Sequence, residues 1–133
     1  MNLKSENLVE IRRDFHRFPE LGFKEKRTKD KIIGYLKELG LDVHSGAGIV
    51  GVLRSGEGNK VIGLRADMDA LPIRETNTHD YVSNNTGVMH ACGHDGHMTM
   101  LLGAAHKLSK NANFSGTIVF IFQPNEELGL GAK

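Results

Sequence analysis

Apolar residues along this chain recur first at helical spacing and then at strand spacing. Leu8, Ile11 and Phe15 share one face of a helix that Ser5 would cap and that ends before Pro19. A second helix is predicted from about Glu25 to Leu39. Ile32, Leu36 and Leu39 hold its stripe, Ile33 widens it, and Gly40 is a natural C-terminal stop. The period then changes. Ile49 to Leu53 reads as a strand, Gly56-Glu-Gly-Asn59 as a turn and Val61 to Ala66 as a second strand. Strands joined so briefly are expected to be antiparallel neighbours. From Asp67 to Ala91 no period is sustained, and Pro72 with Asn84-Asn85 marks a long loop with room for one short strand. A third helix, about Gly96 to Ser109, would bury Met98, Leu101, Leu102, Ala105 and Leu108. Gly116 to Phe122 is a nearly continuous apolar strand, the pattern of a strand covered on both faces, and Pro124 ends it. Gly129 to Lys133 reads as the approach to a further helix. This order predicts an α/β fold, a mixed β-sheet layered with helices, in one domain over 1–133 without repeat or linker.

Composition narrows the function classes. Lys+Arg 17 against Asp+Glu 16 gives a formal net charge of +1, which supplies no general attraction to nucleic acid or an anionic membrane. Arg12, Arg13 and Arg17 are interrupted by Asp14, so they form no basic patch. The single cysteine rules out an intrachain disulfide framework and makes a reducing, cytoplasmic compartment the default. The first residues lack the apolar stretch of a signal peptide, and Ile118 to Phe122 is far too short to span a bilayer.

Three clusters carry candidate chemistry. The densest is Met89-His-Ala-Cys-Gly-His-Asp-Gly-His97, where His90, Cys92 and His94 alternate and would point the same way from an extended backbone. Thiolate and imidazole are good ligands for zinc and its neighbours. Taken singly, such residues are a small buried hydrophobe and surface histidines; three His, one Cys and one Asp within nine positions favour a metal. The second cluster, Glu126-Glu127, follows the buried strand, where the carboxyl ends of α/β strands open into a ligand crevice. One glutamate could bind metal while the other accepts a proton. The plainer reading is an acidic helix start. The third, Asp67-Met-Asp69, also stands past a strand, and such a pair serves as a backbone cap more often than as a ligand set. His16 could be a site residue, but the plainer reading is a helix-end histidine whose charge suits the C-terminal dipole. His44, His79 and His106 have no evident partner and are read as structural or surface residues.

Four stretches together resemble the N-terminal part of the M20 metallopeptidase family. They are Ile11-Arg-Arg-Asp-Phe-His-Arg-Phe-Pro-Glu-Leu-Gly-Phe23, Leu64-Arg-Ala-Asp-Met-Asp-Ala-Leu-Pro-Ile73, Met89 to His97 and Phe122-Gln-Pro-Asn-Glu-Glu127. Within the family they are most similar to the amidohydrolase subfamily of hippurate, N-acyl-amino-acid and auxin-conjugate hydrolases. The resemblance implies Cys92, His94 and Glu127 as metal ligands and two catalytic carboxylates, Glu126 as general base for the attacking water and Asp69 as the group that holds it. It also implies two divalent ions such as Zn, Mn or Co, and hydrolysis of the amide of a small N-acyl amino acid. Other branches carry a His ligand where Asp67 stands, so a metal role for Asp67 stays open. In the family further ligands and an inserted lid, often a dimerisation element, lie beyond the double glutamate. The sequence stops six residues past Glu127. The expectation is therefore the N-terminal portion of a catalytic domain without the lid, weakly active or inactive alone, its partner a second copy or a separate C-terminal part. Two alternatives are a catalytically silent metal-binding or interaction module and a Cys92 nucleophile assisted by His90 or His94.

Overall fold

The computed structural model describes Leu3 and residues 7–133, so the expected Ser5 cap lies outside the described residues. The chain runs α1 (Leu8–Arg17), α2 (Lys26–Glu38), β1 (Asp42–Ser45), β2 (Ile49–Ser55), β3 (Val61–Asp67), α3 (His94–Lys110) and β4 (Gly116–Gln123). The helical stripes bury as their spacing predicts: Ile11 and Phe15 from α1, Ile32 and Leu36 from α2, and Met98, Leu101, Leu102 and Ala105 from α3. Leu108 is only partly buried. All of them join Phe120, Phe122, Ile49 and Ala66 in one cluster, so the three helices lie on one face of the sheet. Each such side chain contributes roughly 1.5–3 kcal/mol on removal from water.

The strand order is β1-β2-β4-β3. This corrects the expectation that β2 and β3 pair with each other. β4 lies between them, antiparallel to β2 and parallel to β3. The reason is burial. β4 carries the most continuous apolar run, and the centre of the sheet gives it a neighbour on each edge and a covered face. The connection 56–60 spans the gap, since two strand spacings of about 4.8 Å each are within reach of residues extending about 3.3 Å apiece. It does so by hugging the start of β4. The Gly58 N–H donates to Ser115 Oγ at 2.7 Å, and a Cβ on Gly58 would stand 2.4 Å from the Ser115 carbonyl oxygen. The Thr117 N–H closes the corner on the Lys60 carbonyl at 2.9 Å.

β1 was not legible in the sequence; its four residues pair with β2 and stay largely exposed. The segment after Glu127 forms one turn, closed by the Gly129 N–H on the Glu126 carbonyl at 2.8 Å. The long loop between β3 and α3 holds one isolated bridge, Leu71 to Met89. No helix among the described residues is long and apolar enough to cross a membrane.

Candidate metal centre

Parallel pairing of β3 with β4 sets Asp67 beside Gln123, so both carboxyl ends open at one edge of the sheet. The Met68 N–H continues this pairing onto the Gln123 carbonyl at 3.0 Å. One residue on, Asp69 is buried and its carboxylate faces the turn that follows β4. Asn125 takes a left-handed φ of 46, and its N–H donates to Glu25 Oε1 at 2.9 Å. That turn brings the Glu126 and Glu127 amides onto Asp69 Oδ1 and Oδ2, each at 3.1 Å. The cap-like reading of Asp69 is thus correct in kind, but it caps a turn distant in sequence.

The helix side is built on Gly93, whose φ of 90 lets the backbone turn sharply into α3. His94, the first helical residue, is buried, and its Nδ1–H donates to the Asp69 carbonyl at 2.8 Å. This bond fixes the tautomer and leaves the Nε2 lone pair facing the cleft. Around Nε2 stand Asp67 Oδ2 at 3.4 Å, Glu127 Oε1 at 3.5 Å and Glu126 Oε2 at 3.8 Å. Cys92, His94 and Glu127 each offer a ligand atom within 4.8 Å of the others, and so do Asp67, His94 and His97. Both sets use His94, so they describe one centre with Asp67 and His97 at its flank. The His97 Nδ1–H donates to Asp67 Oδ1 at 2.7 Å. Burial alone would raise the Asp67 carboxyl, but the His97 hydrogen bond, helped by a backbone amide, holds it below the ordinary range.

The donor set suits a divalent cation. It offers one sulfur, one oriented imidazole and one carboxylate, and the buried Glu127 Oε1 has no hydrogen-bond partner among the described residues. The neighbouring Glu127 carboxylate raises the Cys92 thiol, with burial and the charges of Glu126 and Asp67 adding to it. A thiol held protonated is the opposite of an activated nucleophile. His90 is buried with both ring nitrogens unpartnered among the described residues, and the charges nearest the thiol are carboxylates, which oppose thiolate formation, so the structure favours Cys92 as a metal ligand over a nucleophile.

His90 corrects another expectation: it does not project alongside Cys92. The Ala91 N–H turns back onto the Met89 carbonyl at 3.0 Å, which breaks the extended alternation. His90 is buried instead, both ring nitrogens unpartnered among the described residues, and burial pushes it down to about 4. His16 does stand in the last turn of α1, as expected, but it faces carboxylates from elsewhere in the fold rather than only the helix end. It is buried, with Nδ1 at 2.8 Å from Asp95 Oδ2 and Nε2 at 3.1 Å from both oxygens of Glu75. Asp95 also accepts from Arg12 Nε at 2.9 Å. His79, expected without a partner, lies 3.3 Å from Glu75 and stacks on Tyr81 at 3.7 Å. Glu75 escaped the sequence reading because it lies in an aperiodic loop and meets His16 only through the fold.

Comparison with known proteins agrees with this geometry. The model of Peptidase family M20/M25/M40 matches residues 63–133, more than half of the chain. The chain is 51% identical over 124 residues to hippurate hydrolase of Campylobacter jejuni, covering 91% of this chain and 32% of that enzyme. It is 47% identical over 127 residues to thermostable carboxypeptidase 2 of Saccharolobus solfataricus, covering 92% and 32%. The solved structure of Bacillus subtilis YXEP, described as a dinuclear metal binding peptidase from the M20 family, superposes with a TM-score of 0.92 at 40% identity, covering 96% of this chain and 37% of that one. The chain thus spans about a third of the length of the relatives it matches. With the Cys92, His94 and Glu127 donors gathered at the strand ends and these matches along its length, the chain belongs to Peptidase family M20/M25/M40.

Proposed function

We propose that this chain supplies the metal-binding and proton-handling part of an amidohydrolase acting on the amide bond of N-acyl amino acids. The convergence of Cys92, Glu127 and Glu126 on His94 Nε2 carries this reading. Cys92, His94 and Glu127 would hold the cation, drawn from Zn, Mn or Co. The dinuclear description of the B. subtilis relative supports two ions in a complete site. When bound, such ions polarise an amide carbonyl and acidify a water at neutral pH. Glu126 is the more exposed of the two glutamates, at 38% against 24% for Glu127, and its carboxylate is free of the Asp69 contact that its amide makes. It takes the proton of the attacking water and returns it to the departing amine. Asp69 is a positioning residue: its carboxylate holds the backbone of both glutamates and its carbonyl aims His94. The names hippurate hydrolase and N-acetylcysteine deacetylase among the relatives support a small acylated amino acid as substrate. The free Cys92 agrees with a cytoplasmic location.

The test is release of free amino acid from N-acetyl and N-benzoyl amino acids with added Zn, Mn or Co. Turnover by these 133 residues alone is expected to be slow, because three protein donors make a thin ligand set. Glu126→Gln should remove at least about a hundredfold of the metal-dependent rate while leaving bound metal in place. Hydrolysis indifferent to Glu126→Gln would sink the mechanism. Stoichiometric metal without turnover under any ion would instead favour a silent metal-binding module, the second reading that the three-donor set supports.

A further inference from the structure

Beside the first turn of α3, where His16 meets Asp95, two imidazoles converge on one carboxylate. His16 Nε2 lies 3.1 Å from both Glu75 oxygens, and His79 Nε2 lies 3.3 Å from Glu75 Oε2. We propose that His16, Glu75 and His79 form a second divalent-cation site of the zinc type, separate from the Cys92 centre.

Three observations carry it. The spacing is right: ligands about 2.0–2.1 Å from a tetrahedral zinc stand about 3.3 Å from one another. One ligand atom from each residue lies within 4.8 Å of the other two. The orientation is right as well. Asp95 Oδ2 accepts from Arg12 Nε and faces His16 Nδ1 at 2.8 Å, so Nε2 is the atom presented to Glu75. A carboxylate holding the far nitrogen of a ligating histidine is the usual support for a metal-bound imidazole. Glu75 accepts too, so a positive centre, a proton or a metal ion, has to lie between it and Nε2. The third observation is rigidity with access. The His16 and Glu75 side chains are almost fully buried, at 4% and 3%, whereas His79 is 29% exposed and opens the site to solvent. Stacking on Tyr81 fixes the His79 ring. The set lacks a thiolate, so it is the harder of the two sites. A cation there would pin the loop between β3 and α3 to α1.

The test uses zinc alone on the 133-residue chain carrying Cys92→Ser and Glu127→Gln, which strips two donors from the first centre. Equilibrium dialysis with elemental analysis is expected to leave one zinc per chain. Adding His79→Gln is expected to weaken that binding at least about a hundredfold, with circular dichroism reporting that each variant folds. The unmutated chain gives a reading free of any folding defect. On zinc addition, the imidazole 15N resonances of His16 and His79 should shift together at Nε2. No zinc in the double variant, zinc indifferent to His79→Gln, or unshifted His16 and His79 resonances would each overturn the proposal.

Discussion

Asp69 shows how much of the centre depends on one side chain. Its two oxygens take the Glu126 and Glu127 amides, and its own carbonyl takes His94. A carboxylate bonded twice to backbone is worth more than two neutral hydrogen bonds, and leaving either amide buried and unpaired would cost about 1–3 kcal/mol. Next to it, Glu25 holds the Asn125 amide and so braces the same turn, but from a buried position. Burial raises its carboxyl above 4.5; the Asn125 hydrogen bond opposes this, and the charges of Asp69 and Glu20 add to it. The sign of the pH effect follows. A carboxyl raised in the folded state binds its proton more tightly there than in the unfolded chain, so its ionisation subtracts stability as pH rises above about 4.5. Glu25→Gln keeps an oxygen for the Asn125 amide and cannot ionise. Its unfolding free energy relative to the parent chain should therefore climb from pH 4 to pH 7, measured by urea denaturation at each pH. A difference that stays level across this range would show that Glu25 ionisation does not burden the fold.

At the scale of elements, what could be read from the sequence was what rests on local burial. The helices were legible because each hides a stripe at its own period, and β4 because its apolar run is nearly unbroken. β1 was not, since Val43 is its only apolar residue and pairing with β2, not burial, holds it. Strand order depends on β4, which arrives last and inserts between two strands already formed in sequence, and no local pattern encodes that. The same division applies to the sites. Cys92, His94 and Glu127 sit in dense motifs, whereas Glu75 and His79 join His16 across a long loop and carry no spacing signal. The crossover itself is testable at Gly58. A Cβ there would meet a backbone oxygen, which cannot rotate away as a side chain could. Gly58→Ala should cost about 1–3 kcal/mol in chemical denaturation. Gly63→Ala in β3, where a Cβ meets only Ile121 Cδ1 at an ordinary 3.5 Å, is the control and should change little beyond its propensity term. Equal effects at the two positions would remove the tight crossover as the explanation.

At the scale of the whole molecule, the described residues cover the sheet on one face and leave the other bare. The core and all three helices take the side of Phe120 and Phe122, while Val119 and Ile121, which alternate with them, are only half-buried or exposed. β3 also forms an edge, with no strand beyond it among the described residues. Its first residues, Val61 and Ile62, are 63% and 61% exposed. An apolar edge with free N–H and C=O groups is a template for another strand, and nothing on the first residues of β3 blunts it with charge. The chain should therefore self-associate in a concentration-dependent way through this edge, as sedimentation velocity across the micromolar range would show. Val61→Lys with Ile62→Lys puts charge where a pairing strand would lie and should shift the distribution toward monomer. The metal centre offers a separate readout, because it sits at the opposite, carboxyl end of β3. Zinc bound through Cys92 and His94 should survive the lysine substitutions unchanged. Loss of association together with loss of zinc would mean that the edge shapes the centre; an unmutated chain that stays monomeric throughout would mean that the exposed edge is already protected by its own twist and short length.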